Sequence, residues 1–148
     1  MEFEFTEFND PAFAAILLPI VKEFINRSKL EISPEDYIRH LANALFTRAP
    51  VKIYIATEKT SGEIGAIAIV GGGGIPPRVW LEGVCQLRKY AKYQLAQELL
   101  KRVIDDMRIH GVSEIYCMTK NKALAKGLIK RLGFKPKEII LTKEIGGS

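Results

Sequence analysis

The run QLRKYAKYQLAQELLKR, beginning at Gln86, changes character halfway. From Gln94 to Arg102 its apolar residues recur at helical spacing, and the residues ahead of them bring Arg88, Lys89 and Lys92 to the amino end of the expected helix. That end carries partial positive charge. Each cation placed there costs a few tenths to about 1 kcal/mol at low salt unless an anion joins it. The pattern predicts an anion-binding helix start; its plain alternative is a solvated basic loop.

Other chemistries are poorly supplied. Cys85 and Cys117 both sit in apolar, strand-like runs, which suits small buried hydrophobes better than a disulfide framework. With only two further, well separated histidines, no metal-ligand spacing appears. The stretch IVGGGGIPPRVW lacks the Gly-Lys-Ser/Thr of a phosphate-binding loop and leads into a strand, so no helix dipole backs it. A formal charge of +5 and a pI near 9.2 favour an anionic partner without choosing between nucleic acid, a membrane surface and a phosphorylated cofactor. No apolar run approaches the roughly 20 residues of a membrane helix, and MEFEFTEF is neither a signal nor a transit peptide, so a cytoplasmic protein is expected.

The elements that must position the basic run follow from caps and periodicity. MEFEFTEF alternates like a strand, Asp10 and Pro11 start a helix running to about Asn26 with a kink at Pro19, and Ser33, Pro34, Glu35 and Asp36 open a second helix. VKIYIAT and EIGAIAIV form a hairpin about Gly62, and RVWLEGVCQL is a third strand in this group. The helix from Gln94 stops at Gly111, EIYCMT is a strand, NKALAKGLIKRLGF a helix and KEIILTKEI a last strand. The length suits one domain, an α/β chain with a mixed sheet of about six strands and four helices in three layers. The strand before the basic run and the strand EIYCMT enclose a helix, so they should be parallel. The basic run then lies on the sheet edge where open α/β sheets bind ligands.

This order, with Ala125, Leu132, Gly133 and Phe134 matching an N-x-x-A…L-G-F helix and Asn121 one residue early, resembles the GNAT family of N-acetyltransferases over nearly the whole chain. The resemblance implies acetyl-coenzyme A as co-substrate and an amine, on a small molecule or a protein, as acceptor. The family's Q/R-x-x-G-x-G/A pyrophosphate loop falls on Ala91, Lys92, Tyr93, Gln94, Leu95 and Ala96, where only the last small residue survives. The implied cofactor site therefore comprises Val84, Gln86, Arg88, Lys89, Lys92, Tyr93, Gln94, Leu95, Ala96 and Asn121, with side-chain charge standing in for glycine amides. Glu82, the only carboxylate in its strand, is the implied base. The family's acid tyrosine is replaced by Ile129, for which Tyr116 is the candidate substitute.

Two other readings use the same residues. A GNAT-like domain without catalysis fits the eroded loop, and a nucleic-acid-binding patch fits RKYAKY but brings no recognised nucleic-acid motif. The final strand needs cover at its edge, which predicts either a homodimer or an edge guarded by Lys137 and Lys143.

Overall fold

In this computed structural model the described residues are all except 48–49, 73–77, 120–121, 137–142, 144 and 147–148. They form two compact units, Met1–Met118 and Thr119–Ser148. The first contains strands β1 (Phe3–Phe8), β2 (Val51–Glu58), β3 (Ile64–Gly72), β4 (Arg78–Gln86) and β5 (Glu114–Cys117), with helices α1 (Leu18–Ser28), α2 (Pro34–Phe46) and α3 (Leu95–Ile109). The second contains α4 (Lys122–Leu132). The sheet order is β1-β2-β3-β4-β5, antiparallel except for the parallel β4–β5 pair that the crossover requires.

β3 is buried along almost its entire length because both of its faces are covered, which is why IGAIAIV reads as a continuous apolar run. On one face Ile53, Ile55, Ile67, Ile69 and Cys85 pack with Leu17, Ile20, Val21, Phe24 and Ile25 of the α1 region and Leu41 of α2. The opposite face receives α3, which buries Leu95, Leu99, Leu100, Val103 and Met107 and lies against β2, β3 and β4. Tyr54 ties the two layers together, its hydroxyl donating to Asp106 of α3.

Local signals formed as the sequence predicts where their partners are near in the chain. Asp10 accepts from Ala12 N–H, Ser33 accepts from Asp36 N–H, and Gly62, Gly111 and Gly133 all take positive φ at the ends of elements. After α4, Phe134 N–H returns to Leu128 O at 3.1 Å. Two expectations are corrected. The Pro19 kink is a change of helix type: Pro11–Leu17 is 3-10, and Pro19 stands in the first turn of α1, where its missing N–H costs nothing. The basic run is not a loop, for Arg88–Tyr93 is a second 3-10 segment, and α3 starts one residue later than predicted, at Leu95.

Five strands are present among the described residues. The expected strand over 137–145, and with it the proposed dimer edge at Lys137, falls mostly outside them, as does the GGIPP segment before β4. Among the described residues no helix is long and apolar enough to cross a membrane, and no group of His, Cys, Asp and Glu could hold a metal ion. Cys85 and Cys117 are free thiols, and burial pushes Cys85 up to about 11.

Candidate active site

β4 is irregular at one residue. Ile69 pairs with Gly83 while Val70 pairs with Leu81, so Glu82 has no partner on β3 and is the extra residue of a bulge. A bulge lets two consecutive residues share a face. Glu82 and Gly83 both look toward α1 and α2: a Cβ on Gly83 would stand 2.6 Å from the Phe24 ring, and Glu82 lies over Gly71, whose Cβ would meet its Oε1 at 2.5 Å. Phe24 packs edge-on to Tyr37 with ring centroids 5.8 Å apart, and His40 flanks Tyr37 at 6.2 Å. Burial first, and then the charge of Glu82, push the Tyr37 hydroxyl up to about 12. Glu82 itself is exposed, with no hydrogen bond or ion pair among the described residues.

On the same face Trp80 stacks on Tyr116 at 5.1 Å, Arg78 lies over the Tyr116 ring at 5.2 Å, and the Tyr116 hydroxyl donates to Glu114 at 3.2 Å. Tyr37, Phe24, Gly71 and Gly83 were not singled out from the sequence. Glycines at 71 and 83 inside otherwise regular strands were the available signal, since a glycine there marks a bulge or a close approach.

β5 pairs with β4 only from Arg78 to Leu81. Beyond that point β4 continues to Gln86 with β3 alone. Leu87 N–H donates to Gly65 O on β3, so by strand alternation the backbone groups of Gln86 and Val84 point away from β3, to the side where the β5 pairing has ended. Two predicted cofactor residues thus share one strand edge that has no strand partner on that side among the described residues.

At the end of β4 the side chains are more occupied than the sequence predicts. Gln86 Oε1 accepts from Ala96 N–H at 2.8 Å, in the first turn of α3, while its Nε2 donates to Tyr90 O at 3.3 Å. Lys89 pairs with Glu63 at 2.5 Å, and Tyr90 donates to the same carboxylate oxygen at 2.5 Å. Lys89, then Tyr90, hold the Glu63 carboxyl below its usual range. Arg88 stands 3.9 Å from Glu23, and Lys92 lies over the Tyr93 ring at 5.1 Å. The cations therefore do not converge on the helix start: Lys89 has its anion inside the protein, and Arg88 has a looser one. Leu95 is buried in the core. Gln94 is left-handed, φ 51° and ψ 43°, at the position where the loop motif places a glycine. A non-glycine residue thus takes a conformation that glycine adopts more readily. Asn121 lies outside the described residues.

A family model described as Acetyltransferase (GNAT) family matches residues 18–134. The chain belongs to the GNAT acetyltransferase family. Its reaction is transfer of an acetyl group from acetyl-coenzyme A to an amine. No curated protein matches the sequence. Solved structures share the fold over almost all of both chains. One is a predicted acetyltransferase with acetyl-CoA from Clostridium acetobutylicum, with 16% identity, 97% of this chain and 96% of that one covered, and a TM-score of 0.77. Another is a possible acetyltransferase from Clostridium difficile 630, with 10% identity, complete coverage of both chains and a TM-score of 0.81. A third is AAC(6')-Iy in complex with a bisubstrate analog, with 15% identity, 98% and 99% coverage, and a TM-score of 0.77. At these identities the likeness is one of fold.

The residues present fit the GNAT co-substrate in two places. The edge at Val84 and Gln86, which pairs with no strand on that side among the described residues, suits an extended arm that carries amides, and the left-handed Gln94 makes the turn from which α3 presents its first amides.

Proposed function

We propose that Glu82 is the base of the acetyl transfer and that the amine approaches on the α1/α2 face of β4. The observation that carries this reading is the bulge: it turns the one carboxylate of β4 onto the face of Tyr37, Phe24 and Trp80, one residue past the last β4–β5 pair. An amine arrives as an ammonium ion and attacks only through a free electron pair, so an acceptor for its proton must stand beside the acyl group. Acetyl-coenzyme A supplies the acyl thioester, whose carbonyl carbon gains the bond to nitrogen as the bond to sulfur breaks. Glu82 takes the amine proton, directly or through one water. A thiol ionises near 8.5, so the departing sulfur needs no strong acid, which suits a chain with isoleucine at position 129. The contacts of Tyr116 with Trp80, Arg78 and Glu114 support a role in the wall of the acceptor site.

The acceptor is an amine beside the carboxylate of Glu82, with the aromatic side chains of Tyr37, Phe24 and Trp80 on the same face. Aminoglycosides, acted on by an enzyme of the same fold, belong in the first panel of acceptors together with simple diamines and peptide amines. The test is steady-state transfer across that panel with the parent and Glu82→Gln. The variant should keep its affinity for acetyl-coenzyme A, measured by calorimetry, and lose roughly 10²- to 10⁴-fold in kcat at neutral pH. An unchanged rate from about pH 6 to 9 removes Glu82 from the mechanism.

A further inference from the structure

Gln86 makes two hydrogen bonds that link chain segments on either side of the basic run. Its oxygen accepts from Ala96 N–H, one of the first-turn amides that a helix leaves without a backbone partner, and its nitrogen donates to Tyr90 O. A glutamine at this place satisfies the helix start from inside the protein. The same N–H is among those from which a helix start offers hydrogen bonds to phosphate.

We propose that Gln86 is a displaceable internal ligand of the α3 start: it holds Ala96 N–H in the empty protein and yields it to a pyrophosphate oxygen when a coenzyme A binds. The proposal rests on the acetyl-coenzyme A reading of the site. Three features of this chain support it. Lys89 is held by Glu63, so side-chain charge at the helix start is reduced and the amides matter more. Gln94 makes a left-handed turn immediately before α3, which sets the direction of the first amides of the helix. The backbone of Gln86 lies on the edge of β4 that has no strand partner among the described residues, which lets its side chain respond to a ligand along that edge. Gln86 is thus a positioning residue with a cost to affinity, since a bound phosphate replaces a hydrogen bond instead of gaining one.

Two variants and three ligands test this by calorimetry and by melting of the empty protein. Gln86→Met keeps length and loses the acceptor. Its empty form should melt about 3 °C lower, having lost one cap, while its affinity for coenzyme A and dephospho-coenzyme A rises roughly threefold to tenfold, the worth of one hydrogen bond. Its affinity for pantetheine, which has no pyrophosphate, should not change. Gln86→Glu keeps an acceptor near Ala96 and adds a negative charge, and should weaken both nucleotide ligands by tenfold or more, again without effect on pantetheine. If Gln86→Met binds coenzyme A no more tightly than the parent, Gln86 is a structural brace and the proposal fails. Should that variant not fold, Gln86→Glu decides alone, and unaltered coenzyme A affinity in it overturns the idea. A parent that binds coenzyme A no better than pantetheine refutes the displacement while leaving the co-substrate reading intact. A parent that binds neither refutes both.

Discussion

At Glu82, β4 carries an extra residue, has glycines beneath it at 71 and 83, and leaves a carboxylate without a hydrogen bond or ion pair among the described residues. Four residues later, at Gln86, the side chain is hydrogen-bonded at both ends, and the neighbouring Lys89 and Tyr90 close on Glu63. One end of the strand has made space and kept a charge unsatisfied; the other has consumed its polar groups internally. The first is how a protein holds a group ready for a reacting partner, because the cost of an unpaired charge is borne by water until the partner arrives. The second is how a helix start stays stable when no ligand is present. On the proposed reading an acetyl transferase needs both behaviours on one strand, a carboxylate free to meet the amine and a cofactor cradle able to fill and empty.

The contrast breaks most directly at the two glycines. Gly71→Ala would push against Glu82 Oε1, the far end of a flexible and exposed side chain, so the carboxylate can swing away at little cost. Stability should change by no more than about 0.5 kcal/mol. Turnover should fall by tenfold to a hundredfold, since a base displaced by about an ångström loses its alignment. Gly83→Ala meets the buried Phe24 ring, which cannot retreat so easily. Here the expected result is a loss of about 1 to 3 kcal/mol in stability, together with a raised KM for the amine as Phe24 shifts against Tyr37. Equal effects of the two variants on melting temperature and on kcat would show that Glu82 is no freer than its surroundings.

How much of this was legible in the sequence depended on distance along the chain. Ser33, Pro34, Glu35 and Asp36 announce the start of α2 because the capping bond to Asp36 N–H spans three residues. Gly133 and Phe134 likewise end α4 through a bond that spans six. The partner of Lys89 is Glu63, on the turn between β2 and β3, and nothing local to RKYAKY encodes it. Reading the three cations as waiting for an external anion was therefore incomplete: the protein supplies one itself. The bulge was hidden for a related reason. Whether Glu82 faces a helix layer is set by the register of β4 against β3, and a shift of one residue reverses every side chain on one side of the bulge. The element order and the base candidate were visible; the orientation that makes Glu82 a candidate in space was not.

A second way to sharpen the contrast is acid. The β2–β3 turn that delivers Glu63 to Lys89 is held by Glu58, which is buried and accepts from Ser61 Oγ at 2.6 Å, Ser61 N–H at 2.6 Å and Thr60 N–H at 3.1 Å. These bonds, the Ser61 hydroxyl first, lower the Glu58 carboxyl from 4.5 to about 2. A depressed carboxyl stabilises the fold fully above its unfolded value and loses that contribution as the pH falls through the folded one. Melting temperature should therefore decline as the pH falls from about 4.5 toward about 2. Glu58→Gln should melt lower than the parent at neutral pH and show a shallower decline over that window. Parallel curves for the two proteins would mean that Glu58 does not set the acid limit.

The smallest expected effect lies at Gln94, and it separates backbone strain from side-chain contact at the cofactor end. Gln94 is exposed and left-handed, and an L-residue in that conformation carries about 1 to 2 kcal/mol of strain that glycine lacks. Glycine in turn loses more freedom on folding, by about 0.5 to 1 kcal/mol. Gln94→Gly should therefore gain about 0.5 to 1 kcal/mol, read as a rise in melting temperature of about 2 °C. It also restores the glycine of the loop motif, so coenzyme A affinity should rise with it, the backbone now able to approach the pyrophosphate without a Cβ between them. Gln94→Ala is the control, because it removes the same side chain and keeps the strain. If alanine stabilises as much as glycine does, the gain comes from the side chain and the left-handed turn is not strained. If both destabilise, Gln94 makes a contact that holds the start of α3, and the helix start is braced from that side as well as by Gln86.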